Sequence, residues 1–138
     1  MNKHLGLEMI EISTLHEHSL GEWEGKSWEV IKPLVYANQR APGGENRSDF
    51  AERVKKVLDV ILTPDLESPP LIVAHGGTFH AIGKLYEWEF GAMKNCHLHL
   101  FEPAPEQNIP WRLSQFEPRG EYLTQMQSEF CPLLRQAS

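Results

Sequence analysis

The chain has 138 residues, 41% of them hydrophobic, and a formal net charge of -6. A chain of this length builds one packed core but not two, and its negative balance argues against nucleic acid, whose phosphates attract basic surface. No apolar run reaches the roughly 20 residues of a membrane span, and Met1 to Gly6 holds no signal-length apolar stretch. Two cysteines, Cys96 and Cys131, make no disulfide framework, so reduced thiols in a cytoplasmic protein are the expectation.

In chain order, Met9 to Ser13 is short and partly β-branched and reads as a strand. A loop follows from Leu15 to Gly25, punctuated by Gly21 and Gly25. Ser27 is placed to cap a short helix carrying Trp28, Ile31, Leu34 and Val35, with Pro33 an interior irregularity. The turn Ala41-Pro42-Gly43-Gly44-Glu45-Asn46 precedes the clearest helix. There Phe50, Val54, Val57, Leu58 and Ile61 share one face of a 3.6-residue period. Asn46 or Ser48 is its expected N-cap, and Pro64 lies just past its end. Leu71-Ile72-Val73-Ala74, after two prolines, has the continuous apolar character of a fully buried strand. Gly76-Gly77-Thr78 turns it into a helix through Phe79, Ile82 and Tyr86. Cys96 to Glu102 alternates as a half-buried strand, and Trp111 to Phe116 is its expected antiparallel partner. Helix, buried strand, helix and terminal hairpin together predict an α/β fold, its sheet mostly parallel with an antiparallel edge. Residues 1–116 form the predicted domain and 117–138 a polar tail.

Two segments carry candidate chemistry. His75 stands at the carboxyl end of the buried strand, where open α/β sheets bind ligands. The unshielded amides of Gly76 and Gly77 fall at a helix N-terminus, which binds anions through oriented N–H groups. An imidazole there can donate to, or attack, a phosphoryl group. The competing reading is a packed histidine followed by a tight glycine turn, and spacing alone does not separate the two. Glu17 in the first loop can serve as a general acid, although most exposed glutamates only solvate a surface. The pairs His16/His18 and His97/His99 have zinc-ligand spacing. The competing arrangement puts Cys96, Leu98 and Leu100 towards the core with His97 and His99 outward, and no metal is expected. Trp23 and Trp28 are packing residues that could also wall a pocket.

Taken together, three segments resemble the histidine phosphatase, or phosphoglycerate-mutase-like, superfamily. They are Leu15 to Gly25, Pro42 to Asn46 running into Phe50-Ala51-Glu52-Arg53-Val54, and Leu71 to Gly77, in the family's order and spacing. The resemblance implies a three-layer α/β/α sandwich and a phosphohistidine mechanism on a phosphomonoester, without cofactor. By position Glu17 matches the proton donor and His75 the second histidine, with Gly76 and Gly77 contacting the phosphoryl group. The Gly21-Glu22-Trp23-Glu24-Gly25 form is closer to the small broad phosphatases than to the glycolytic mutases. The family's nucleophile lies in an Arg-His-Gly segment, whereas this sequence has one His-Gly pair, preceded by Ala74. His75 as nucleophile is the lesser reading, because its surroundings match the second histidine.

The resemblance thus predicts a domain truncated at its N-terminus that binds a phosphorylated small molecule and turns over weakly by itself. The alternative is a non-catalytic phosphate-binding or protein-interaction pseudoenzyme. A missing interior strand would leave the Leu71 to Ala74 edge unpaired, so a homo-oligomer is expected.

Overall fold

A computed structural model describes residues 2–62, 68–88, 97–104, 111–116 and 122–123. The chain divides into two compact units, residues 1–78 and 79–138. Cys96, Cys131 and nearly all of the polar tail lie outside the described residues.

The first unit begins with a single helical turn, α1 (Asn2–Leu5). Met9 to Ser13 is not a strand: residues 6–12 are irregular and Ser13–Leu15 forms a 3-10 turn. Met9 and Ile10 are 78% and 77% exposed. β-branched residues favour a sheet only where a neighbouring strand supplies hydrogen bonds and packing, and none does so here among the described residues.

A second 3-10 turn, Gly21–Trp23, leads to α2 (Trp28–Tyr36). Ser27 occupies the N-cap position, but its hydroxyl bonds the Glu29 carboxylate instead of a backbone amide. Pro33 is accommodated inside α2, and its carbonyl still accepts the Ala37 N–H at 2.9 Å. α3 (Arg47–Ile61) is the predicted amphipathic helix, capped by Asn46. The Asn46 side chain accepts from the Asp49 amide at 2.9 Å, while Asp49 accepts from the Asn46 amide at 3.2 Å. This reciprocal capping box satisfies two donors that the first helical turn would leave open. Phe50, Val54 and Val57 of α3 are buried together with Leu15, Ile31, Val35, Ala41 and Ala51.

Leu71 to Ala74 was expected to be a buried strand. It runs outside any helix or strand, and Leu71, Ile72 and Val73 are exposed. A strand's polar backbone and two apolar faces are satisfied only by neighbours on both sides, and no parallel pairing occurs among the described residues. α4 (Gly76–Leu85) follows directly and spans the boundary between the units.

The second unit contains an antiparallel sheet in the order β1 (Leu98–Pro103), β2 (Trp111–Phe116) and β3 (Tyr122–Leu123). The predicted hairpin forms, pairing Leu98 with Phe116 and Pro103 with Trp111. The expected alternation of burial along β1 does not appear: residues 99–102 are all half-buried. Leu98 is exposed, while the His99 ring packs 4.7 Å from Phe79 of α4, and Phe101 meets the same ring at 5.7 Å. The Phe79 ring offers these side chains an aromatic partner, which outweighs the hydropathy of Leu98.

Candidate functional site

The loop bearing Glu17 has little regular structure of its own, so its shape comes from neighbours. Its carbonyl at Ser19 accepts the Glu45 amide at 2.9 Å, and the Glu22 amide donates to the Pro42 carbonyl at 3.0 Å. These bonds join it to the turn that precedes α3. Gly21, at a φ of +49°, and Gly44 let the two backbones touch. An added Cβ at Gly21 would overlap the Pro42 carbonyl and lie 2.8 Å from the Gly43 carbonyl carbon.

One arginine of α3 underlies this loop. Arg53 donates to the carbonyls of Thr14 at 2.7 Å, His16 at 3.1 Å and Glu17 at 3.3 Å. It also forks onto both carboxylate oxygens of Glu45. Only 19% of the Arg53 side chain and 16% of the Glu45 side chain are exposed, so this pair is largely withdrawn from water. Burial alone pushes the Glu45 carboxyl up. The Arg53 hydrogen bonds, the Ser19 amide and the nearby positive charge outweigh that effect and hold it below its ordinary 4.5. His18 stacks flat on Phe50 at 5.0 Å, and its Nε2–H donates to the Glu45 carbonyl at 2.9 Å.

The Glu17 carboxylate itself accepts two backbone N–H groups. His18 donates to Oε1 at 2.7 Å, and Gly77 donates to Oε2 at 3.1 Å across 60 residues of sequence. Gly77 is the second residue of α4, so a negative group rests on the positive end of a helix. A Cβ at Gly77 would overlap Glu17 Oε1 and lie 2.7 Å from Cδ. Close approach, rather than a special φ, is what requires glycine here. At Gly76 an added Cβ meets nothing within 4 Å. Its amide opens α4 and has no intrahelical acceptor. His75 is exposed just before it, and its carbonyl accepts the Thr78 amide at 3.1 Å.

Of the predicted site residues, Glu17 and Gly77 are thus in direct contact, while Gly76 and His75 adjoin Gly77 in the chain. Chemically, the arrangement offers a carboxyl that can hold or give a proton, beside the anion-favouring end of a helix and an exposed imidazole. An open groove of about 630 Å³ lies elsewhere, between residues 12–14 and α3, with Arg53 and Val57 among its lining. It includes neither Glu17 nor His75, and the polar convergence at α4 is the stronger marker of chemistry. Among the described residues no three His, Cys, Asp or Glu side chains cluster as a metal site, and no helix is long and apolar enough to cross a membrane. The roles of Arg53 and Glu45 were not read from the sequence. The available signal was an acidic residue closing a Gly-Gly turn, followed eight residues later by an arginine beside the helix's apolar face.

Comparison with known proteins identifies a family. The family model described as histidine phosphatase superfamily (branch 1) matches residues 1–101. The "Putative phosphoserine phosphatase 2" of Hydrogenobacter thermophilus is 34% identical over 88 residues, 56% of this chain and 43% of that protein. The "Probable phosphoglycerate mutase GpmB" of Erwinia tasmaniensis is 34% identical over 97 residues, 66% of this chain and 44% of that protein. The chain therefore spans less than half the length of these relatives. No solved structure matches significantly.

Proposed function

The chain belongs to the histidine phosphatase superfamily, and from that premise we propose that it supplies the proton-donor and phosphate-contacting part of a phosphomonoester site. The observation that carries the reading is the Glu17 carboxylate bonded to the Gly77 amide at the start of α4, immediately after His75. A phosphoryl group bound against His75 and the Gly76 amide would stand beside Glu17. From there the carboxyl would protonate the departing ester oxygen, while His75 and the helix end stabilise charge on the phosphoryl oxygens. His75 acts in this reading as the second histidine of a phosphohistidine-type site, not as the nucleophile. Covalent phosphoryl transfer needs a nucleophile and its clamps as a unit, so the 138-residue chain alone hydrolyses an aryl phosphate near background. Its substrate class is a phosphorylated small molecule.

The test is titration of the chain with phosphate and vanadate, followed by ³¹P and ⁵¹V resonance. Binding that His75→Ala abolishes supports the site. Binding unchanged in His75→Ala refutes it, and fast turnover lost in that variant would make His75 the nucleophile instead.

We further propose that the exposed Leu71 to Ala74 segment is completed by a second copy of the chain, within a mostly parallel sheet of a three-layer α/β/α sandwich. Leu71 and Val73 are 47% and 69% exposed, and an unpaired apolar edge templates association. A monomer at every concentration in sedimentation velocity, with these amides protected from exchange, rules this out.

A further inference from the structure

We infer that Arg53 and Glu45 are the positioning residues that aim the Glu17 carboxyl, an inference resting on the reading of Glu17 as proton donor. One peptide unit links Arg53 to the carboxyl. In a trans peptide the carbonyl and the following N–H point in opposite directions. The Glu17 carbonyl accepts Arg53 Nη2 at 3.3 Å and His16 Nδ1 at 2.7 Å. The N–H on the far side of the same plane, that of His18, is therefore turned back onto Glu17 Oε1, which it meets at 2.7 Å. Pinning the carbonyl fixes the donor that orients the carboxylate.

Glu45 completes the arrangement in two ways. Its carboxylate holds the Arg53 fork and accepts the Ser19 amide at 3.1 Å. Its own backbone exchanges bonds with the next residues of the loop, through Ser19 O at 2.9 Å and the His18 ring at 2.9 Å. Consecutive residues 17, 18 and 19 are thus each tied to the Arg53–Glu45 pair. Arg53 is also packed over Phe50 at 4.9 Å, the ring against which His18 stacks, so its guanidinium has little room to wander. Lysine could not replace it, because an ammonium lacks the planar fork that serves a carboxylate and three carbonyls together.

Nuclear magnetic resonance of the full chain tests this without any need for turnover. In the unmodified protein, hydrogen bonding to the Glu17 carboxylate displaces the His18 and Gly77 amide resonances, and Glu17→Ala identifies that response by removing it. The Ser19 amide reports Glu45 separately. Arg53→Met and Glu45→Gln should each cut the response of both amides by more than half, with Arg53→Lys between Arg53→Met and the unmodified chain. The Val54 and Val57 amides should stay protected from exchange in all variants, which excludes general loosening of α3. If Arg53→Met does not fold, the isosteric Glu45→Gln decides. Full responses at His18 and Gly77 in Glu45→Gln, or in a folded Arg53→Met, would overturn the inference. Failure of the phosphate titration with these amide effects intact would instead sink the phosphomonoester reading alone.

Discussion

Gly77→Ala separates the stability of this fold from the placement of its carboxyl. An alanine Cβ would overlap Glu17 Oε1 and stand 2.7 Å from Cδ and 3.0 Å from Oε2. The obstructing atoms are the end of a flexible side chain, so Glu17 swings away while the backbone stays. That movement gives up the hydrogen bond to the Gly77 amide, worth about 1.5–3 kcal/mol for a charged acceptor. Alanine in place of glycine near a helix start returns up to about 1 kcal/mol of backbone entropy. The difference, a loss of roughly 0.5–2 kcal/mol, corresponds to a fall in Tm of roughly 2–10 °C for a domain of this size. Placement fares worse than stability, because the new Cβ falls on Oε1, the oxygen that holds the other bond, from the His18 amide. In an assembly competent for turnover, losing the aligned acid costs about 100-fold or more. Calorimetry of Gly77→Ala beside Gly76→Ala, whose Cβ meets nothing within 4 Å, gives the first comparison. The ¹³C shift of Glu17 Cδ gives the second. A Glu17 resonance unchanged in Gly77→Ala, or one displaced equally in Gly76→Ala, would refute the reasoning.

Gly21→Ala should be much more damaging than either, by about 2–4 kcal/mol in urea unfolding. Its Cβ meets immovable backbone at Pro42, Gly43 and Gly44, and its φ of +49° disfavours any side chain. The Glu45 carboxyl, held below 4.5 by Arg53, stabilises the fold above its unfolded pKa. That contribution is lost as pH falls from 4.5 through the lower folded value, so Glu45→Gln should flatten the decline of Tm measured over this range. His99 is held below 6.5, first by burial, and its buried Nε2 has no hydrogen-bond partner among the described residues. A histidine with a depressed folded pKa destabilises as pH falls below its unfolded value. Amides of β1 and β2 should therefore exchange faster relative to His99→Leu at acid pH than at pH 7.

Local patterns in the chain were sufficient wherever one stretch of sequence settles its own structure. The apolar period of Phe50, Val54 and Val57 and the Asn46 to Asp49 spacing predicted α3 and its cap, because both signals act within a few residues. Gly76-Gly77 beginning a helix, and the β1–β2 hairpin, are local in the same sense. The three motifs in their order were enough to indicate the family. Strand formation at Met9 and Leu71 was not decidable this way, since extended backbone becomes a strand only when another segment supplies the ladder. The exposure of Leu98 was not decidable either, because the ring that His99 and Phe101 pack against, Phe79, belongs to another element. Only the tertiary structure brought Glu17 to the Gly77 amide and gathered three loop carbonyls on Arg53. Sixty residues separate the first pair, and no spacing rule reaches that far. A carboxylate becomes distinct from other glutamates when folding chooses its donors.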